Sequence, residues 1–138
     1  MKTAILDSSV WVSFILKHDK YKYDSDKIIE DLIRRKKIIL LPAIVVVEIC
    51  ASAKRVWRNG YNFNAIYAML HHPQIKIINL NTTDLLKTLG HERFSYLRSG
   101  DYLVLLYWLK FRPDYFITFD NKQRDVYNKF RLLRKHEN

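Results

Sequence analysis

Four acidic residues stand at the ends of apolar runs in a chain that is otherwise strongly basic: Asp7, Glu48, Asp101 and Asp120. Asp7 follows Thr3-Ala4-Ile5-Leu6, and Asp120 follows Tyr115-Phe116-Ile117-Thr118-Phe119. Glu48 interrupts the apolar stretch 43–53, and Asp101 opens the apolar stretch 102–111. Two unit charges 4 Å apart repel by roughly 4 kcal/mol at an effective dielectric near 20, so a fold that gathers these carboxylates needs a cation among them. All-oxygen ligands select hard ions, Mg²⁺ or Mn²⁺. Such an ion stabilises charge on a phosphoryl oxygen and lowers the pKa of a water poised for in-line attack. Ser9 lies two residues after Asp7, and Thr118 two before Asp120. Their hydroxyls are placed to hold a water or to orient a carboxylate.

Each residue also has a plainer explanation. Asp7, Asp101 and Asp120 suit the N-cap of a following helix, worth about 0.5–2 kcal/mol each. Ser9 and Thr118 suit cap and strand positions. Glu48 lies among Ile44, Val45, Val46, Val47 and Ile49, where an unpaired carboxylate is costly and normally neutralises. Neither Lys54 nor Arg55 stands at its i+3 or i+4 position, so an ion-pair partner has to come from elsewhere. Asn121 and Asp125 fall near the same edge, with Asp125 expected to be solvated. Zinc is disfavoured, because His18, His71, His72, His91, His136 and Cys50 show no ligand spacing. A glycine-rich loop after the first apolar run is absent, which disfavours Rossmann or P-loop nucleotide binding. Tyr21, Tyr23, Tyr61, Phe63, Tyr67 and Tyr96 stand near Lys and Arg. They read as base-stacking platforms or, for most of them, as amphipathic core; Leu105, Trp108 and Leu109 read as core.

The elements that must position these residues follow from periodicity and punctuation. Thr3–Leu6 predicts a first strand, and helical spacing predicts a helix from Ser8 or Ser9 to about Lys17. After a loop over 18–26, Ser25 or Asp26 caps a second helix that ends at the basic run 34–37. Ile38–Leu41 reads as a strand, and Pro42 suits the first turn of a helix that carries Glu48 to about Trp57. A helix from Asn62 or Asn64 to His71, a strand Ile75–Leu80 and a helix capped by Asn81 or Thr82 and reaching Leu97 come next. Gly90 weakens that last helix by about 1 kcal/mol relative to Ala. Gly100 is expected to stop a helix and Asp101 to cap the next, to Arg112. Tyr115–Phe119 is a fourth strand, followed by a short helix; Arg131–Arg134 adds a further edge strand. Strands separated by helices imply a parallel sheet with helices on both faces. Right-handed crossovers bring the strands' carboxyl ends to one edge, where such sheets place their sites.

Bulk composition agrees with one domain over residues 1–138, large enough to bury roughly two thirds of its extended-chain surface. Hydrophobic content of 49% and charged content of 28% are those of a globular protein rather than a disordered one. A formal charge of +10 and a pI near 9.7 attract polyanions, of which nucleic acid is the commonest. Cys50 is the sole cysteine, so an internal disulfide is impossible and a reducing, cytoplasmic home is expected. No signal-peptide h-region and no apolar stretch of membrane-spanning length are present.

The pattern Ile5-Leu6-Asp7-Ser8-Ser9, Glu48 in the third helix, Arg98-Ser99-Gly100-Asp101 and Ile117-Thr118-Phe119-Asp120 resembles the PIN-domain nucleases. Within them, the length resembles VapC-like toxin ribonucleases of type II toxin–antitoxin systems. The resemblance covers the chain to about Asn128 and implies a three-layer α/β/α sandwich with a mostly parallel sheet of four or five strands. It implies an Mg²⁺- or Mn²⁺-dependent endoribonuclease, homodimeric and inhibited by a small cognate antitoxin protein. Carried over residue by residue, Asp7, Glu48, Asp101 and Asp120 are the metal-binding and catalytic acids, with Ser9 and Thr118 as supporting hydroxyls. The chain departs from the family at 102–107, where Tyr-Leu-Val-Leu-Leu-Tyr replaces commonly small residues. Two other readings compete. A catalytically idle PIN-like RNA-binding module has no use for a repulsive acidic cluster. A phosphatase of the haloacid-dehalogenase type wants a second aspartate two residues after the first, where Ser9 stands.

Overall fold

The computed structural model of the chain describes residues 2–16, 19–56, 63–87, 99–125 and 127–128, with backbone alone for residues 63 and 99–101. In chain order the elements are β1 (Thr3–Leu6), α1 (Ser8–Ile15), α2 (Lys22–Arg34), β2 (Ile38–Pro42), α3 (Ala43–Val56) and α4 (Phe63–Leu70). β3 (Ile75–Ile78), α5 (Thr82–Leu86), α6 (Ser99–Phe111) and β4 (Tyr115–Ile117) follow, and a short helix, α7, covers residues 121–125. The strands form one sheet in the order β3-β2-β1-β4, with every neighbouring pair parallel.

β1 is apolar on both faces because both faces are covered. Ala4 and Leu6, with Ile39 and Leu41 of β2, join a core built from Val10 and Trp11 of α1, Ile29 and Leu32 of α2, Val45 and Ile49 of α3, and Ile66 of α4. The alternate positions Ile5 and Leu40 pack instead on Tyr107 of α6, flanked by Leu103 and Phe111. Right-handed crossovers explain the division: β1 to β3 advances across the sheet with α1–α4 on one face, and the return to β4 carries α6 onto the other. Among the described residues no helix is long and apolar enough to cross a membrane.

Several boundaries differ from expectation, each for a visible reason. α2 begins at Lys22, after an N-cap at Tyr21 that makes no side-chain cap bond, so neither Ser25 nor Asp26 caps it. Ser25 is buried in the helix, its Oγ donating to the Lys22 carbonyl at 2.9 Å, and Asp26 pairs with Lys22 at 2.9 Å. A polar residue on the buried face hid the helical period. Pro42 closes β2 rather than opening α3; the β1–β2 ladder ends at Ile5 and Leu40, so its missing N–H breaks no bond there. α5 begins at Thr82 after an N-cap at Asn81, one of the two caps expected, which forms a capping box with Asp84; its extension to Leu97, Gly90 and the edge strand at 131–134 lie outside the described residues. α6, described from Ser99, includes Gly100 and Asp101, so Gly100 is not a helix stop and Asp101 is not an N-cap. β4 ends at Ile117, two residues early, because the chain beyond it bonds to side chains instead of a neighbouring strand.

Candidate active site

The strand order puts β1 between β2, its successor, and β4, the strand reached last. The boundary between β1 and β4 is therefore where the winding reverses, and the crevice outside the carboxyl ends of such a pair is the usual ligand site. Asp7 follows β1 directly, and its N–H donates to the Ile117 carbonyl of β4 at 3.1 Å. Thr118, Phe119 and Asp120 leave β4 into the same crevice.

Asp7 is 3% exposed and caps α1. Its Oδ1 accepts the Ser9 N–H at 2.6 Å and the Ser9 hydroxyl, and its Oδ2 accepts the Thr118 hydroxyl at 2.5 Å. Burial pushes the Asp7 carboxyl above its ordinary pKa, and the bonds from Ser9 and Thr118 pull the other way. Both hydroxyl oxygens also accept: Ser9 Oγ from the Phe119 N–H at 3.0 Å, Thr118 Oγ1 from the Asp120 N–H at 2.9 Å. Ser9 and Thr118 thus stitch the β1–α1 turn to the β4–α7 turn with Asp7 between them. Asp7 is the N-cap of α1, whereas Ser9 lies inside that helix and Thr118 just beyond β4, so neither is the cap or strand residue expected of it.

Asp120 is exposed, and its Oδ1 accepts the N–H groups of Lys122 at 2.8 Å and Gln123 at 3.2 Å, capping α7. Glu48 is half-buried on α3, and among the described residues it makes no hydrogen bond or ion pair. Asp7, Ser9, Glu48 and Asp120 line one cleft of about 490 Å³, within the size range of small-ligand sites. Asp101 has its backbone in the first turn of α6, three residues before Val104, which lines the cleft; its side chain lies outside the described residues.

A match to the PIN domain spans residues 4–129, nearly the whole chain. The chain belongs to the PIN-domain family. No curated protein is similar enough in sequence to count as a match. Among solved structures, the chain resembles the crystal structure of Mycobacterium tuberculosis VapC20, a sarcin-ricin loop cleaving toxin, with a TM-score of 0.69 and 14% identity. The likeness covers 89% of this chain and 94% of that one, and it is a likeness of fold.

In this PIN domain the described cleft-lining side chains include carboxylates and hydroxyls but no His or Cys, a donor set for a hard cation rather than zinc. Among the described residues, no three Asp, Glu, His or Cys side chains group closely enough to hold one metal ion. A hard cation that keeps several of its waters needs only one or two protein carboxylates; Asp7 Oδ2 retains a lone pair, and Glu48 makes no bond among the described residues.

Sequence reasoning did not anticipate Ser13, Asp19 or Gln123 in the PIN cleft, and it named Tyr21 as a stacking candidate without placing it at the rim. Asp19 Oδ1 accepts from the Ser13 hydroxyl at 2.8 Å and the Tyr21 N–H at 2.9 Å. It lay in the polar run read as loop, and no spacing rule links it to Ser13. Gln123 Oε1 is 3.1 Å from Thr118 Oγ1. Leu105 and Trp108 are core as expected. Tyr23 and Tyr67 are exposed away from the cleft, while Tyr61, Tyr96 and the Phe63 side chain lie outside the described residues.

Proposed function

We propose that this chain is a metal-dependent endoribonuclease, one PIN-like nuclease domain over residues 1–138, acting as the toxin of a toxin–antitoxin pair. The observation that carries the reading is the convergence of Asp7, Glu48 and Asp120 on one cleft at the winding reversal, with Asp7 clamped by Ser9 and Thr118. Family membership and the fold likeness to a sarcin-ricin loop cleaving toxin support it. Asp7, Glu48, Asp101 and Asp120 are the proposed metal-binding and catalytic acids; Asp101 enters on its motif alone.

A bound Mg²⁺ or Mn²⁺ would supply positive charge to the scissile phosphate and make a water nucleophilic at neutral pH. Asp7, Asp120, Asp101 and Glu48 would hold it between them, one or two directly and the others through its waters. Ser9 and Thr118 fix the Asp7 carboxylate in one orientation before substrate arrives, so little reorganisation remains at the moment of reaction. The +10 charge draws the RNA backbone to an otherwise acidic cleft.

Purified protein freed of any inhibitor is expected to cut single-stranded RNA with Mg²⁺ or Mn²⁺ and to stop in EDTA. Undiminished cleavage in EDTA overturns the reading. RNA affinity should fall with salt at a log–log slope of roughly −0.7 per phosphate neutralised. As a cytoplasmic, homodimeric toxin it should arrest growth when expressed alone, and a small antitoxin protein encoded beside it should relieve the arrest. The other reading, a PIN-like RNA-binding module without catalysis, draws on the absence of a three-ligand group among the described residues. It predicts RNA binding with no metal-dependent rise in melting temperature.

A further inference from the structure

We propose that Tyr21, stacked on Phe119 at the rim of the cleft, seats one nucleobase of the RNA beside the scissile phosphate. The proposal rests on the nuclease reading and names how the same cleft grips its substrate. Tyr21 is 38% exposed, yet its ring lies 4.8 Å from that of Phe119 at an interplanar angle of 24°. Both residues line the cleft that holds Asp7, Glu48 and Asp120. One ring is therefore backed and oriented while part of its surface stays in water.

The pair is indexed to the acids by two routes. Phe119 N–H donates to Ser9 Oγ, the hydroxyl that also clamps Asp7. Tyr21 N–H donates to Asp19, and the single proton of the Ser13 hydroxyl is shared between Asp19 Oδ1 and the Ser9 carbonyl, each 2.8 Å from Ser13 Oγ. A base on Tyr21 is thereby placed at a set distance from Asp7, and little freedom is lost on binding because the seat is already ordered. The Lys20 ammonium lies 4.7 Å from the Tyr21 centroid. An incoming base displaces that exposed chain and leaves its charge beside the adjoining phosphate. Stacking on a tyrosine accepts any base, since every base has a π-face, so Tyr21 contributes grip and register more than sequence choice. Tyr23 and Tyr67 are also exposed, at 67% and 51%, but neither lines the cleft.

The test is a cycle between protein and substrate. A short single-stranded RNA that the wild type cuts at a mapped position is compared with RNAs carrying an abasic ribose at each flanking position, using wild type, Tyr21→Ala and Tyr21→Phe. Tyr21→Ala should lower kcat/KM on intact RNA by roughly 5- to 150-fold, the range of one lost base stack. At one flanking position the abasic RNA should cost the wild type about as much and cost Tyr21→Ala nothing further, and Tyr21→Phe should recover most of the loss. A purely structural role would penalise intact and abasic RNAs alike; that result, or an Ala variant equal to wild type, overturns the proposal. A second arm measures affinity of the same RNAs for Asp7→Asn protein, with and without Tyr21→Ala, in EDTA. If the wild type cuts no RNA, the nuclease reading falls by itself. The affinity cycle still decides for Tyr21: non-additivity at one position supports the seat, and additivity everywhere removes it.

Discussion

Replacing Asp7 with asparagine separates a carboxylate that only caps a helix from one that holds a metal. Asparagine keeps an oxygen for the Ser9 N–H and hydroxyl, so the cap, worth about 0.5–2 kcal/mol, survives. Its amide NH₂ faces Thr118 Oγ1, which retains a lone pair beside the Asp120 N–H it accepts; the Thr118 proton can then turn to Gln123 Oε1, 3.1 Å away. The cavity is filled and the polar groups stay paired. What changes is charge.

Burial raises the Asp7 pKa in the metal-free protein above its ordinary value of 3.8. A group of this kind contributes stability that is fully present below the unfolded value and is lost as pH rises through the folded one. The asparagine variant has no such loss. In EDTA its melting temperature should therefore gain on wild type as pH rises from about 4 to about 7, and match or exceed it at the upper end. Mn²⁺ reverses the order. At about 100 times its dissociation constant the ion adds about 2.7 kcal/mol to wild type. For 138 residues that is a rise of roughly 8–13 °C, at about 3–5 °C per kcal/mol. The variant should show a much smaller shift, and cleavage should fall more than about 100-fold, the equivalent of several kcal/mol of lost charge stabilisation. Thermal melts across pH with EDTA or Mn²⁺, run beside an RNA cleavage assay, supply both readings. A variant that keeps the wild-type Mn²⁺ shift and rate, or that melts below wild type in EDTA at every pH, refutes the reasoning.

Thr118→Val keeps the shape but removes the donor to Asp7 Oδ2 and the acceptor of the Asp120 N–H. It should cost about 1–3 kcal/mol in urea unfolding and roughly 10- to 100-fold in cleavage, with Thr118→Ser restoring much of both; a valine variant equal to wild type shows that the clamp does not operate. Asp101→Asn should leave stability within about 0.5 kcal/mol, because Asp101 lies within α6 rather than at its N-cap. Its cleavage should nevertheless drop sharply, and a wild-type rate would remove Asp101 from the proposed site.

Much of this arrangement is legible in particular residues. The runs Thr3–Leu6, Ile38–Leu41 and Tyr115–Phe119 are short and apolar, and each holds a strand of the sheet, the last ending early at Ile117. Asn81, one of the two caps expected there, is the N-cap of α5. These succeed because strand, cap and turn preferences are decided within a few residues. The start of α2 was hidden because its buried position is Ser25, a residue that reads as loop or cap until its hydroxyl is seen on the Lys22 carbonyl. Asp101 reads as a cap because glycine normally ends helices, whereas Gly100 lies within one.

The chain by itself determined an α/β alternation, acids at the ends of β1 and β4, and a surface whose charge suits a polyanion. Those are local and compositional properties, set by hydrophobic period and side-chain charge. Tertiary structure alone decided that β1 and β4 are neighbours, which sets Thr118 on the carboxylate of Asp7 across 111 residues of sequence. It alone placed Glu48 within the same cleft and left it without a bond among the described residues, and it alone stacked Tyr21 on Phe119. Strand order depends on which crossover buries the most apolar surface with the right hand, and that free energy belongs to the whole packed chain rather than to any segment of it.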